Sequence, residues 1–380
     1  MIGDRSVTVF YDDAMLGHNP EVELPFLPGR LDKRIRSLIQ EVDVKWSYPE
    51  HPGRLKAIRD RLRKKPIKGV EIKSGGEATR DQLGRVHTAS YLDDIFALDG
   101  KQAWLDQDTT AVSPGSVKAA TAAAGHAISA VEEVVSGRAQ SAFALVRPPG
   151  HHAEPVRARG FCLFNNIAVA AAHAQAQLGC EHILIIDWDA HHGNGTQDIF
   201  WADQDVMFFD THVAPPFYPG TGYMEEVGAG LGEGYIVNVP LPLDAGDIAY
   251  ERAFRDILVP AADWFEPDLV LVSAGFDPHR NDMALNLTYD GFAALTAIIQ
   301  GIADKHCDGR LALVLEGGYN LESLANGVFA VLETLAGKEP PQLLECGLRE
   351  VRAAAEYHLS AFGEVSAEEA AARAADPEQK

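Results

Sequence analysis

The chain has 380 residues, of which 46% are hydrophobic and 23% are charged. This is the composition of an ordinary globular protein, and it excludes disordered, collagen-like and coiled-coil chains. The chain contains 33 basic and 55 acidic residues and has a net charge of −22. The negative electrostatic potential of such a protein repels phosphate backbones, so we expect no nucleic-acid partner. It attracts positively charged substrates.

The cysteines and the N-terminus predict a cytoplasmic protein. Cys162, Cys180, Cys307 and Cys346 are widely spaced and form no CxxC pair, so the pattern indicates neither a zinc ribbon nor a disulfide framework. The first residues contain no basic segment followed by an apolar stretch, which a signal peptide requires. No apolar run approaches the roughly 18 residues of a membrane span, so we expect no membrane association.

Short apolar runs alternate with helix-compatible stretches along the chain. Several runs are apolar at nearly every position, which is typical of parallel strands covered on both faces. The predicted strands are Val7–Phe10, Ala142–Val146, His182–Trp188, Val206–Phe209, Ile236–Val239, Leu269–Ser273 and Leu311–Leu315. The predicted helices are Ala57–Lys64, Ala89–Leu98, Val117–Val135, Ile167–Gln177, Ile248–Trp264, Asp290–Asp304 and Leu321–Leu335. The alternation predicts a doubly wound, mostly parallel sheet.

We predict one domain over residues 1–380, because the chain shows neither an internal repeat nor a Gly/Ser-rich linker. Residues 17–50 are predicted to be an insertion near the rim of the functional site, with a helix over Leu31–Val42. A lid, an oligomer contact and a plain packing helix are alternatives for it. Residues 340–380 are predicted to form a peripheral C-terminal segment.

The densest group of polar side chains follows the predicted strand His182–Trp188. Alternation at a strand end would place Asp187, Asp189 and His191 on one side, where buried acids and an imidazole need a cation. Asp277 comes just after another predicted strand. Two aspartates and one histidine would leave a coordination position open, which is the pattern of a catalytic zinc or ferrous ion.

Two further strand ends carry groups suited to proton transfer and to oxyanion binding. His151 and His152 lie in a loop rich in proline and glycine. Adjacent imidazoles that titrate near neutrality suit a proton-transfer pair. Tyr319 lies in an EGGYN loop, where glycines let the backbone turn closely and the hydroxyl can donate to an oxyanion.

Seven motifs occur in the order HPGRL, RPPGHHA, GFCLFNN, DWDAHHGNGTQ, THVAPPFYPGTG, SAGFD and EGGYN. Together they resemble the histone deacetylase and acetylpolyamine amidohydrolase family, over about His51 to Leu335. DWDAHHGNGTQ is more similar to class II-like bacterial members, because class I usually has Asp in place of Asn194. The resemblance implies an arginase/deacetylase-type three-layer α/β/α sandwich with a mostly parallel eight-stranded sheet and long active-site loops.

The resemblance also implies roles for individual residues. The residues implied to hold catalytic zinc are Asp189, His191 and Asp277. It implies that His152 is the general base and acid, that His151 is an electrostatic partner held by Asp187, and that Tyr319 polarises the scissile carbonyl. The residues implied to line an acyl-lysine channel are Gly160 and Phe161, with Phe217 or Tyr218. A potassium site is implied near Asp187, with backbone oxygens near Asp210 and Thr211.

The implied reaction is hydrolysis of N-acetyl-lysine in a peptide, or of a small acetylated polyamine, to acetate and a free amine. One alternative is an arginase-like ureohydrolase with two manganese ions, although Asn194 and His279 stand where further acids would help. The other is a catalytically inactive module that binds acyl-lysine. Asp282 is either a partner for a distal ammonium or a loop aspartate without such a role. A homo-oligomer is a further expectation.

Overall fold

The computed structural model describes residues 5–20, 48–106, 109–341, 343 and 358. The strands among them are β1 (Val7–Phe10), β2 (Val70–Lys73), β3 (Ala103–Trp104), β4 (Ala111–Val112), β5 (Ser141–Ala144), β6 (Ile183–Asp187), β7 (Val206–Val213), β8 (Ile236–Leu241), β9 (Leu269–Ala274) and β10 (Leu311–Leu315). The helices are α1 (Gly53–Lys64), α2 (Arg80–Leu83), α3 (Ala89–Phe96), α4 (Ser116–Val135), α5 (Asn166–His173), α6 (Asn194–Ile199), α7 (Asp247–Ala253), α8 (Val259–Phe265), α9 (Tyr289–His306) and α10 (Leu321–Leu335). In this part of the chain, no helix combines the length and apolar character needed to cross a membrane.

Eight strands form one sheet in the order β2-β1-β5-β10-β9-β6-β7-β8. Every pairing within it is parallel, so the predicted α/β fold with an eight-stranded, mostly parallel sheet is confirmed. Every residue of β5, β6, β7, β9 and β10 is buried. Since successive side chains point to opposite faces, both faces of the sheet are covered.

Helices provide that cover. The Ala-rich α4 packs against β1, β5 and β10, and α5 packs beside it. Small side chains on α4, such as Ala123 and Ala127, let the helix approach the sheet closely, and both are fully buried. Elsewhere α10 packs between α1 and α9.

The observed elements differ from the predicted ones in several places. The edge strand β2 was not predicted, because its four residues are partly exposed and include two charges. The helices α2 and α6 and the small β3–β4 hairpin were also missed. Short π-helical segments lie within two predicted helices, at Ala174–Leu178 after α5 and at Phe254–Leu258 between α7 and α8. The predicted helix Leu31–Val42 lies outside the described residues.

All strands of a parallel sheet end at the same edge, where α/β proteins bind their ligands. The loops that follow β5, β6, β7, β9 and β10 therefore meet there. They contain the polar motifs found in the sequence.

Candidate active site and metal centre

Three buried side chains converge at the carboxyl edge of the sheet. Asp189 and His191 lie in the loop after β6, and Asp277 lies just after β9. The Nδ1 atom of His191 is 3.0 Å from Oδ1 of Asp189 and 3.1 Å from Oδ2 of Asp277. Among the described residues, this group alone has the composition and spacing to hold a metal ion, with one potential ligand atom from each residue within 4.8 Å of the others.

The electrostatics of this group fit a divalent cation. Oδ2 of Asp277 is buried and has no partner with hydrogen-bond geometry, which is costly for a carboxylate unless an ion compensates it. Burial and the nearby charge of Asp189 raise the pKa of Asp277 to about 6. Burial alone would lower the pKa of His191, but the carboxylates of Asp277 and Asp189 raise it to about 10. The two-oxygen, one-nitrogen donor set therefore fits zinc.

Two glycines allow the carboxylates to reach this position. A Cβ atom on Gly275 would lie 2.1 Å from Oδ2 of Asp189, and one on Gly317 would lie 2.3 Å from Oδ2 of Asp277. The Gly317 N–H donates to Oδ2 of Asp189 at 2.8 Å. The glycines of the SAGFD and EGGYN motifs are thus required by the close approach of backbone and ligand side chains.

The tandem histidines lie beside the metal-ligand group and have different partners. Nδ1 of His151 is 2.9 Å from Oδ2 of Asp187. Nδ1 of His152 is 2.7 Å from Oδ1 of Asn194. The amide nitrogen of Asn194 donates to Glu154 at 2.9 Å, so its oxygen faces His152 and accepts a hydrogen bond from the Nδ1–H group. The lone pair of the neutral His152 ring is therefore on Nε2.

The two rings are 4.0 Å apart between centroids, and their protonation differs. Burial disfavours a charged His151, but Asp189 and Asp187 outweigh it and raise its pKa well above the ordinary value. Burial also raises the pKa of Asp187, so His151 and Asp187 share a proton. Burial, together with the positive charges of His151 and His191, lowers the pKa of His152 well below the ordinary value. At neutral pH His152 is therefore a neutral base, whereas His151 holds a proton together with Asp187.

Glu316 was missed as a site residue, although the sequence shows it as an acid at a strand end. Its Oε2 accepts the backbone N–H groups of Gly150 at 2.6 Å and of His151 at 3.1 Å. Burial raises the pKa of this carboxyl to about 7. The side chain links the loop after β10 to the loop that carries the histidine pair.

Tyr319 is half-buried. Hydrogen bonds to its own backbone and to that of its two chain neighbours fix its position. It directly precedes Asn320, whose side chain caps the first turn of α10. Oδ2 of Asp282 accepts the N–H groups of Tyr319 and Asn320, both at 2.7 Å. The guanidinium of Arg54 donates to the carbonyl of Gly318 at 2.6 Å and lies 5.2 Å from the centroid of the Tyr319 ring. The Tyr319 hydroxyl makes no hydrogen bond with the described residues.

Two aromatic side chains that were predicted to line a channel lie beside the histidines. Phe217 stacks on His191 with 5.2 Å between ring centroids. Tyr218 meets His152 edge-on at 5.2 Å and His191 at 6.1 Å. The predicted choice between the two aromatic residues is therefore unnecessary, because both contact this group.

Gly160, another residue predicted to line a channel, lies against His152, and Phe161 follows it in the chain. A Cβ atom on Gly160 would lie 2.1 Å from Cδ2 of His152, so this position requires glycine. The Phe161 ring meets Tyr319 edge-on at 5.7 Å and Tyr48 at 5.2 Å. The predicted catalytic, metal and channel residues are thus neighbours in space.

A family model described as the histone deacetylase domain matches residues 48–335. The chain belongs to the histone deacetylase family. It is 41% identical to a probable deacetylase of Archaeoglobus fulgidus, over 77% of this chain and 82% of that protein. It is 40% identical to a histone deacetylase-like amidohydrolase of Pseudomonas aeruginosa, over 76% of each chain. The human polyamine deacetylase HDAC10 is also 40% identical, over 78% of this chain and 47% of that longer protein.

The fold agrees with this assignment. The crystal structure of the HDA15 HD domain superimposes with a TM-score of 0.83 and 35% identity, and covers 98% of this chain and 99% of that one. Membership of the histone deacetylase family therefore confirms the resemblance noted in the sequence. It also confirms the prediction of a deacetylase-type amidohydrolase at the level of the family.

The site of this histone deacetylase family member does not favour the ureohydrolase alternative. Among the described residues, one group alone has the spacing of metal ligands. Asn194 binds His152, and the ring of His279 stacks on Tyr289 at 4.5 Å. Neither residue adds a ligand for a second ion.

Proposed function

We propose that this chain is a zinc-dependent hydrolase that cleaves the amide bond of N-acetylated amines and releases acetate and the free amine. The observation that carries the proposal is the convergence of a buried Asp–His–Asp group with His152, whose ring is 5.8 Å from that of His191 between centroids. The pKa of this base is lowered, and the nearby Tyr319 hydroxyl makes no hydrogen bond with the described residues.

Asp189, His191 and Asp277 would hold the zinc ion. When bound there, zinc supplies Lewis-acid polarisation of the amide carbonyl and acidifies water. The fit rests on the donor set and on the buried Oδ2 of Asp277, which forms no hydrogen bond of acceptable geometry.

The chain's own residues would move the protons. Nε2 of His152 takes a proton from the attacking water, because Asn194 fixes the tautomer that leaves this nitrogen free. The same nitrogen then returns the proton to the departing amine. His151 holds a proton together with Asp187 and stabilises negative charge that develops in the transition state.

Tyr319 would donate its hydroxyl hydrogen to the oxyanion of the tetrahedral intermediate. Phe217, Tyr218 and Phe161 supply apolar walls that exclude water from the acyl group. Gly160 lies so close to His152 that no side chain would fit between them, which keeps this wall close to the base.

Two substrates are proposed, an acetyl-lysine peptide and a small acetylated polyamine. The net charge of −22 favours amines that carry a positive charge. One relative is named a polyamine deacetylase and others are named histone deacetylases. Asp282, for which recognition of a distal ammonium was one of two alternatives, uses Oδ2 to accept the N–H groups of the Tyr319 loop.

A potassium ion is proposed beside Asp187. The carboxylates of Asp187 and Asp210 are both fully buried on the same side of Gly193, where a Cβ atom would lie 2.7 and 3.3 Å from their Oδ2 atoms. The hydroxyl of Thr211 donates to the carbonyl of Asp187 at 3.2 Å. The cytoplasmic location, the single domain over residues 1–380 and the homo-oligomer stay predictions from the sequence.

The deciding experiment combines metal analysis with kinetics on the full chain. Acetyl-lysine peptides, acetylputrescine and acetylspermidine are compared as substrates, with His152→Ala as the matched control. We expect one zinc ion per chain and acetate release from at least one substrate, reduced at least about 100-fold in the variant. Zinc-loaded wild type that binds acetyl-lysine peptide without releasing acetate would favour the binding-module alternative.

A further inference from the structure

Gly160 and Phe161, which lie beside His152, both have a left-handed backbone conformation. This conformation is unusual for Phe161, because it is not a glycine. Gly160 has φ +57° and Phe161 has φ +67°. The left-handed region is unfavourable for a non-glycine residue, so surrounding contacts must hold Phe161 in it. The holding contacts come from the segment that precedes β4.

Asp106, Thr109 and Thr110 supply these contacts. The N–H of Gly160 donates to Oγ1 of Thr109 at 3.2 Å, and the N–H of Phe161 donates to Oγ1 of Thr110 at 3.1 Å. Both hydroxyls in turn donate to Oδ2 of Asp106, at 3.0 and 2.7 Å. The backbone N–H groups of the two threonines donate to Oδ1 of the same carboxylate, both at 2.7 Å.

The direction of these hydrogen bonds follows from the charge of Asp106. Burial raises the pKa of this carboxyl, but the donors on Thr110 and Thr109 outweigh it and lower the pKa below its usual value. An ionised carboxylate only accepts hydrogen bonds. Each threonine hydrogen therefore points to Asp106, which leaves the hydroxyl oxygen free to accept the N–H of Gly160 or Phe161.

We infer that Asp106, Thr109 and Thr110 form a clamp that holds the Gly160–Phe161 backbone and thereby sets the width of the acyl channel. The inference rests on the proposed function, because the channel is the path of the acylated side chain. The clamp residues are positioning residues, since they act through Phe161.

A third aromatic residue supports this role. The hydroxyl of Tyr48 donates to the carbonyl of Thr109 at 2.8 Å and accepts the N–H of Ala111 at 3.2 Å. The Tyr48 ring meets the Phe161 ring edge-on, and the Phe161 ring also contacts Tyr319. The clamp thus holds the backbone of Phe161, while Tyr48 and Tyr319 contact its side chain.

The test uses two substitutions at Thr110, which is fully buried. Thr110→Val keeps the shape of the side chain and removes the hydroxyl, whereas Thr110→Ser keeps the hydroxyl. We expect Thr110→Val to raise KM for an acetyl-lysine peptide about five- to tenfold, and to lower the preference for acetyl over butyryl by a similar factor. This is the effect of losing a hydrogen bond of about 1 kcal/mol. Thr110→Ser should restore both quantities.

Thr334→Val is the matched control, because Thr334 is a buried threonine in α10 whose hydroxyl donates to the carbonyl of Ala330. It should leave KM and the acyl preference unchanged. Equal KM and acyl preference for Thr110→Val and the wild type would overturn the inference. If Thr110→Val does not fold, Asp106→Asn takes its place, with the same change expected in acyl preference.

Hydrogen exchange of the peptide spanning residues 158–164 separates this inference from the proposed function. The clamp predicts that the amides of Gly160 and Phe161 exchange about tenfold faster in Thr110→Val than in Thr110→Ser, whether or not the chain hydrolyses any amide. An inactive wild type with this exchange difference would count against the proposed function alone. Identical exchange in both variants would overturn the clamp.

Discussion

The side-chain oxygen of Asn194 lies 2.7 Å from Nδ1 of His152 and fixes the tautomer of that ring. A neutral partner at this place leaves His152 without the stabilisation that a carboxylate would give to its charged form. His151, one residue earlier, has Asp187 as its partner and shares a proton with it. Two adjacent histidines thus differ in protonation because their Nδ1 partners differ.

The first prediction concerns the pH dependence of kcat/KM in Asn194→Asp. The pKa of His152 is lowered well below its ordinary value, so the wild type should lose activity only as the pH falls below about 6.5. A negative charge beside Nδ1 raises the pKa of the ring, and the acidic limb of the profile should move to higher pH by about one unit. Asn194→Ala removes the hydrogen bond without adding charge, and should lower kcat without this upward shift. An unmoved limb in Asn194→Asp would contradict the assignment of His152 as the base.

The second prediction is that Tyr319→Phe nearly silences turnover while zinc stays bound. The phenol ring contacts Phe161 and Arg54 in either variant, so the substitution removes only the oxyanion donor. Loss of such a donor typically costs about 100-fold or more in kcat. The checks are kcat for an acetyl-lysine peptide and the zinc content of the purified variant. Activity close to that of the wild type would refute the role of the hydroxyl.

The third prediction separates the two roles considered for Asp282. Because its Oδ2 accepts the N–H groups of Tyr319 and Asn320, Asp282→Ala should leave the Tyr319 loop less ordered and reduce kcat about tenfold. Asp282→Asn keeps an acceptor oxygen and should retain most of kcat. If Asp282 instead recognised a distal ammonium, both variants would raise KM for acetylspermidine equally and leave kcat intact. The two outcomes differ in whether kcat or KM changes.

The sequence predicted the position of a site residue where that residue directly follows a recognisable strand. Asp189 and Asp277 follow buried apolar runs, and the rule that parallel strands end at one edge was enough to bring them together. Contacts between distant parts of the chain were not accessible in this way. Asn194 and His152 are 42 positions apart, and Glu316 and Gly150 are 166 apart. Their pairing depends on the strand order of the sheet.

Partly exposed and mixed-charge segments were also missed. The edge strand β2 has no continuous apolar run, so its sequence gives no strand signal. Asp282 had no local feature that distinguished it from other loop aspartates. Its role became visible only when the loop after β10 was seen beside the loop after β9.

The fourth prediction concerns stability and the buried ion pair of Arg147 with Glu50, both fully buried. Arg147 donates to both oxygens of the carboxylate and to the carbonyl of Met15. Arg54 also donates to this carboxylate at 3.0 Å, so removing Arg147 leaves the buried Glu50 with one arginine instead of two. Arg147→Leu should lower the free energy of unfolding by about 3–5 kcal/mol, as measured by urea titration at pH 7. Arg255→Leu, which breaks an exposed pair with Glu251, is the matched control and should change it by about 0.5 kcal/mol.

The pH dependence of this difference distinguishes an ionic contribution from a simple packing defect. Burial would raise the pKa of Glu50, but Arg147, His18 and Arg54 lower it well below its ordinary value. A carboxyl group with a lowered folded-state pKa stabilises the fold above its unfolded-state pKa, and this contribution is lost as the pH falls from that value through the folded-state pKa. The unfolded-state pKa is common to both proteins and cancels in the difference between them. The gap between wild type and Arg147→Leu should therefore shrink as the pH falls through the folded-state pKa of Glu50 in the variant, and stop changing below its lower folded-state pKa in the wild type. A packing defect alone would leave the gap independent of pH, since removal of the arginine side chain costs the same contacts at any pH.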